Sequence, residues 1–131
     1  MRYSFSLLVV MSLLATASVQ GQGNQKEMKI DSGAFLYDAC QIRLKVIDNA
    51  SFVPTPLDAT HALMCQSYVQ GFTDGMLASS HDFCIKPVTQ EQAIRKYVAF
   101  MTENPIFLKE DKMMSLALVL HPLYSCTHDK Q

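Results

Sequence analysis

The side chains best placed to do chemistry in this 131-residue chain are four cysteines, Cys40, Cys65, Cys84 and Cys126, and four histidines, His61, His81, His121 and His128. Two chemistries are open to the cysteines. As thiolates they bind zinc, and the stretches "HDFC" and "CTH" offer His81, Cys84, Cys126 and His128 as a Cys2His2 set, although zinc ligand pairs usually come with tighter loop spacing. As an oxidised set, an even count in a domain of about 110 residues reads as two disulfides, because so small a core gains from cross-links where nothing keeps thiols reduced. The oxidised reading is favoured, with no metal and no cofactor. The histidines are scattered, and no serine, cysteine or carboxylate stands in a nucleophile context, so neither an enzyme nor catalytic residues are expected.

The start of the chain bears on which chemistry applies. "MRYSFSLLVVMSLLATASVQG" has a basic residue at Arg2, an apolar run from Phe5 to Leu14 and small residues at Ala15 and Ala17. That is the layout of a secretory signal over 1–17, with Gly21 marking a later possible boundary. The run is too short for a stable membrane anchor, and no later stretch reaches about 18 uninterrupted apolar residues, so a membrane protein is not expected. Loss of Arg2 leaves ten of the eleven basic side chains against twelve acidic, a net charge near −2. No Lys/Arg cluster interleaves with aromatics, and a near-neutral balance gives nucleic acid little to bind. Residues 18–30 are polar without a period and read as a mobile lead-in, followed by one domain over 31–131.

The domain reads as all-α, a small bundle of four main helices stapled by two disulfides. The first helix starts near Ser32, with Phe35, Leu36, Ala39 and Cys40 on one face. Pro54 and Pro56 break the chain, and a second helix runs from Asp58 as N-cap to about Ala78. Thr89 and Gln92 form a capping box, with Val88 and Ala93 placed as a hydrophobic staple, for a third helix that turns Ile94, Tyr97, Val98 and Met101 inward. A fourth covers "KMMSLALVLH" before Pro122 and is apolar nearly all round, which places it centrally in the bundle or across a subunit interface. Four cysteines allow three connectivities. If consecutive helices run antiparallel, Cys40 lies level with Cys65 and Cys84 with Cys126, which selects those two pairs.

Within the second helix the stretch "CQSYVQGFTDG" carries two glycines, each costing roughly 1 kcal/mol against alanine inside a helix. Ala62, Cys65, Val69, Phe72 and Met76 fall on one arc, while Ser67, Gly71, Gly75 and Ala78 form a small-residue stripe on its flank. The stripe reads as a contact for another helix, whose close approach would offset the glycines' cost. A second surface candidate is "ENPIFLKED", where Pro105, Ile106, Phe107 and Leu108 stand among Glu103, Lys109, Glu110 and Asp111. These apolar residues either cap the bundle or form an apolar plug with a polar rim, the anatomy of a binding hot spot. His81, Asp82 and Phe83 beside Cys84 make the alternative surface.

A family resemblance joins several of these features. Cys65, Tyr68 and Gly71 in Cys-x-x-Tyr-x-x-Gly, Phe83, Cys84, Pro87 and Thr89 in Phe-Cys-x-x-Pro-x-Thr, Asn104 with Pro105, and the closing Cys126 resemble the Rap/Tai-type immunity proteins. The likeness covers residues 38–126; Ser67 stands where the family pattern usually has Gly, and Asn104 where His is frequent. It implies an all-helical periplasmic protein, commonly a homodimer, whose partner is a type VI secretion peptidoglycan amidase with a papain-like Cys/His active site. Such a protein inhibits by binding, and the Pro105–Leu108 plug would enter the amidase cleft. The alternative function is a periplasmic acid-stress chaperone, with four histidines and twelve carboxylates supplying the change of charge on acidification.

Overall fold

The computed structural model describes residues 29–79, 81–84 and 88–126; the leader, nearly all of the lead-in, Pro87 and His128 lie outside them. Four helices follow one another: α1 (Gly33–Asp48), α2 (Pro56–Ser79), α3 (Gln90–Glu103) and α4 (Lys112–Tyr124), with a 3-10 turn, Pro105–Lys109, between the last two. No strand occurs among the described residues beyond two isolated bridges, Ser32 with Asp111 and Phe83 with Ser125. Nor is any described helix long and apolar enough to cross a membrane. The all-α bundle read from the sequence is therefore the fold.

Each helix begins on a side chain that satisfies an otherwise orphaned amide. Ser32 Oγ accepts from the Phe35 amide at 3.3 Å, and Asp111 Oδ1 accepts from the Met113 amide at 2.7 Å. The box at the head of α3 is complete: the Gln92 amide donates to Thr89 Oγ1 at 3.2 Å and the Thr89 amide to Gln92 Oε1 at 2.8 Å. Helix α2 starts two residues earlier than expected, because Thr55 and not Asp58 is its cap. The Asp58 amide donates to Thr55 Oγ1 at 3.1 Å and the Thr55 amide to Asp58 Oδ2 at 3.0 Å, a reciprocal box with Pro56 at the first helical position, where a missing N–H costs nothing. Pro122 likewise lies inside α4 rather than beyond it. In the last turn a proline forfeits one bond, and the Ser125 amide still closes the helix on the His121 carbonyl at 3.0 Å.

The core is Leu36, Ala39 and Cys40 from α1, Cys65 and Val69 from α2, Ala93, Ile94, Tyr97 and Met101 from α3, and Leu116, Val119, Leu120 and Tyr124 from α4. Val98 is half-buried at its edge. Helices α1 and α3 each pack against every other element, so they, and not α4, hold the centre of the bundle; the other place foreseen for α4, across a subunit interface, lies outside a single chain. Helix α4 buries one face only, leaving Met113 at 56%, Met114 at 55% and Leu118 at 39% exposure. Both expected disulfides are present, Cys40–Cys65 and Cys84–Cys126. The loops they close differ in length, 25 and 42 residues in separation, so in the chain-entropy picture they contribute about 3.5 and about 4 kcal/mol.

The heads of α1 and α4 are joined backbone to backbone. The Gly33 amide donates to the Glu110 carbonyl at 2.7 Å and the Lys112 amide to the Asp31 carbonyl at 2.9 Å. Lys112 Nζ adds an ion pair with Asp31 at 2.8 Å. A buried polar knot lies behind this join, where Tyr97 donates its hydroxyl toward the Gly33 carbonyl at 3.3 Å and stands 3.0 Å from Ser115 Oγ. Burial pushes the Tyr97 phenol up to about 12. A Cβ on Gly33 would stand 2.9 Å from the Phe107 carbonyl oxygen and 3.1 Å from Met101 Cε, and backbone cannot swing aside as a side chain can. Gly33→Ala is therefore expected to lower stability by about 1–3 kcal/mol through overpacking, measured as a reduced urea midpoint at unchanged slope.

The small-residue stripe meets no described helix of its own chain. Ser67, Gly71, Gly75 and Ala78 are all exposed, and a Cβ at Gly71 or Gly75 would meet nothing within 4 Å. No described helix of the chain covers them: periodicity separates one face of a helix from another, and here the Cys65–Val69 arc takes the core while the flank faces outward. Asp74, beside Gly75, accepts from Gln70 Nε2 on its own helix at 2.8 Å. With no neighbour to offset the glycine, Gly71→Ala is expected to stabilise by roughly 1 kcal/mol, raising Tm by about 4–8 °C for a domain of this size; a fall in Tm would place a contact on the stripe.

Candidate functional site

The turn between α3 and α4 is built to hold one apolar side chain outward. Asn104 ends α3, with both its amide and its side-chain Nδ2 donating to the Phe100 carbonyl at 2.9 Å. Pro105 follows at the first position of the 3-10 turn, where its fixed φ suits the geometry. The Phe107 amide then donates to the Asn104 carbonyl and the Glu110 amide to the Phe107 carbonyl, both at 3.1 Å.

Within that frame the three apolar residues part company. Phe107 and Leu108 are half-buried and pack against the core, and the Phe107 ring stacks on Phe100 with centroids 5.5 Å apart and planes 25° from parallel. Ile106 instead stands 70% exposed, with Pro105, Glu103, Lys109, Glu110 and Asp111 exposed around it. The cap and the plug foreseen as rival readings are thus divided between neighbouring side chains. Phe107 and Leu108 root the turn, and Ile106 is its tip.

The other surface is less open than its sequence suggested. His81 and Asp82 are exposed, but Phe83 is half-buried, its ring edge-on to His121 at 4.8 Å and 87°. The segment is tied to the end of α4, the Cys84 amide donating to the Tyr124 carbonyl and the Cys126 amide to the Asp82 carbonyl, each at 2.8 Å. With Cys84 and Cys126 bonded to each other, neither sulfur is a thiolate, which removes the Cys2His2 reading; His128 lies outside the described residues. Ser125 Oγ lies 3.4 Å from His121 Nδ1, yet its proton goes to the His121 carbonyl at 2.7 Å, so the contact closes a helix.

Further apolar surface lies beside α4. A shallow groove of about 340 Å³ runs along Gly71, Phe72, Gly75, Met76, Ser79 and Met113. A second, of about 420 Å³, lies between α3 and α4 and includes Phe100, the ring beneath Phe107. Sequence reasoning missed both, since each is the space between two helices and belongs to neither alone. The signal for the second was the apolar excess of α4, which one buried face could not absorb.

What the fold defines is a small helical domain stapled by two disulfides. More particularly, the chain belongs to the Rap1a immunity proteins, whose family model matches residues 32–126. Its partner is accordingly a toxin effector. No curated protein and no solved structure gives a significant match to the chain.

The split between tip and root has a direct test in the isolated protein. Phe107→Ala is expected to lose on the order of 2 kcal/mol, the scale for truncating a packed aromatic that is not wholly buried. Ile106→Ala should stay within about 0.5 kcal/mol of the parent, as exposed substitutions do. Paired denaturant melts read both.

Proposed function

We propose that this protein is exported by its 1–17 leader to the periplasm, where it binds a type VI secretion peptidoglycan amidase and blocks its Cys/His cleft. It acts by binding and not by catalysis, and as a homodimer in the manner of the family it resembles. The observation that carries the reading is the Ile106 tip, an apolar side chain at 70% exposure on a turn rooted by the Phe107–Phe100 stack. A branched aliphatic group on a pre-ordered turn loses little conformational freedom on docking. The charged rim around it excludes water from a central contact and opposes wrong partners.

A cleft that processes peptide cross-links must admit an extended chain, and a narrow apolar tip is a shape that enters such a cleft. Asp31, Lys112 and the Gly33 backbone lie behind the turn, so pressure on the tip is taken up by the join between α1 and α4 and not by a loose loop.

The test is protection from lysis. An amidase effector from the same strain, directed to the periplasm, should lyse cells unless this protein is co-exported. Ile106→Arg should then keep the parental Tm and lose roughly 30-fold to 1,000-fold in affinity, the range for removing a central anchor worth about 2–4 kcal/mol. Undiminished protection by that variant would show that the tip is not the inhibitory element.

A further inference from the structure

The two disulfides occupy opposite environments. Cys40 and Cys65 are both at 0% exposure inside the core, whereas Cys84 is exposed and Cys126 half-buried at the rim. Thiol–disulfide exchange needs an attacking thiolate to reach a sulfur, so access to the bridge governs its rate. A bridge in the core exchanges only when the fold opens; a bridge on the rim is reached as it stands.

We propose that Cys84–Cys126 is a site of thiol–disulfide exchange in the folded protein, a substrate for dithiol reductants of the Cys-x-x-Cys oxidoreductase class. Its opening frees the His81–Phe83 segment while the Cys40–Cys65 core persists. The first thiolate of the dithiol attacks Cys84 Sγ; a mixed disulfide forms, the Sγ–Sγ bond breaks, and Cys126 leaves as a thiolate that takes a proton from water. The second thiol of the reductant, having given its proton to solvent, displaces Cys84 and closes the reductant's own disulfide. Two electrons and, through solvent, two protons pass to the protein, and the dithiol is oxidised.

The surroundings favour a local opening. Besides the bridge, two backbone hydrogen bonds, Cys84 to Tyr124 and Cys126 to Asp82, and the Phe83–His121 ring contact tie this corner to the end of α4, and Phe83 packs on the edge of the core. The two hydrogen bonds and the ring contact run to the end of α4 and its following residues, not to α1. Cys126 Sγ lies 3.6 Å from the His81 carbonyl oxygen, so the bridge sits directly against the segment that its opening frees. The bridge therefore sets the redox state of one face, the one presenting His81 and Asp82, and leaves the Ile106 turn on its own supports; the proposal does not depend on which effector is bound.

Dithiothreitol is the probe. The full mature protein, without denaturant, is treated at neutral pH, quenched with iodoacetamide at intervals and mapped by mass spectrometry alongside far-UV circular dichroism. Cys84 and Cys126 should be labelled on the order of 100-fold faster than Cys40 and Cys65, because the core pair reacts only through opening of the fold. The helical signal should be retained when the first pair is fully labelled. Labelling of all four together, or loss of helix in step with Cys84, would overturn the proposal. A C84S/C126S double variant gives a second reading by hydrogen exchange. The amides at 84 and 126 should lose protection while those of Tyr97 to Met101 keep it; unchanged protection at 84 and 126, or a variant that fails to fold, would likewise overturn it.

Discussion

The absence of a side chain at Gly33 is the constraint on which the rest of this structure leans. Because no Cβ is there, the backbone of the 3-10 turn lies directly against the head of α1, with the Phe107 carbonyl oxygen 2.9 Å from where that carbon would be. The approach lets the Gly33 amide bond Glu110 and brings the Gly33 carbonyl within reach of the Tyr97 hydroxyl. One residue thereby fixes α1 to α3, to the turn and, through the Ser32–Asp111 bridge, to α4. The direction in which Ile106 points follows from that join, although the two residues are far apart in sequence.

The hydroxyls buried in the core answer one another. A tyrosine hydroxyl and a serine hydroxyl at the centre of a bundle would each cost several kcal/mol if left alone. Tyr97 and Ser115 meet one another, and Ser115 also donates to the Lys112 carbonyl at 2.9 Å. The outer ties are electrostatic. Arg95 bridges α3 to the end of α1 by bonding both carboxylate oxygens of Asp48, and the hydrogen bonds from that guanidinium hold the Asp48 carboxyl below its usual range. The pair is solvent-exposed, so it orients α1 and α3 more than it stabilises them.

Local chemistry was legible in the sequence, and relations between elements were legible only in part. The Thr89–Gln92 box announced α3 because cap and partner lie three residues apart. The Thr55–Asp58 box carried the same kind of signal, but Pro54 and Pro56 were read as breakers when one of them sits where helices tolerate proline best. The disulfide pairing followed from the antiparallel layout, a global property simple enough to assume. The stripe of Ser67, Gly71, Gly75 and Ala78 was visible, but small residues report what a face permits and not what covers it, and no described helix of the same chain does. At the turn, the apolar run Ile106–Leu108 was visible. Which member faces outward depends on Gly33 and Phe100, and no local pattern contains that.

The pairing of the cysteines also bears on how the chain comes to its native form. Cys40 joins Cys65 and Cys84 joins Cys126, so the two covalent rings follow one another along the chain without overlapping or enclosing each other. A chain delivered amino end first presents the correct partner of Cys40, and later that of Cys84, as the next cysteine to arrive. The first ring can close around α1 and α2 before Cys84 is accessible to compete. Any other pairing would interlace the rings or nest one within the other, so the order of arrival by itself favours the native bonds, and oxidation needs no later reshuffling to reach them.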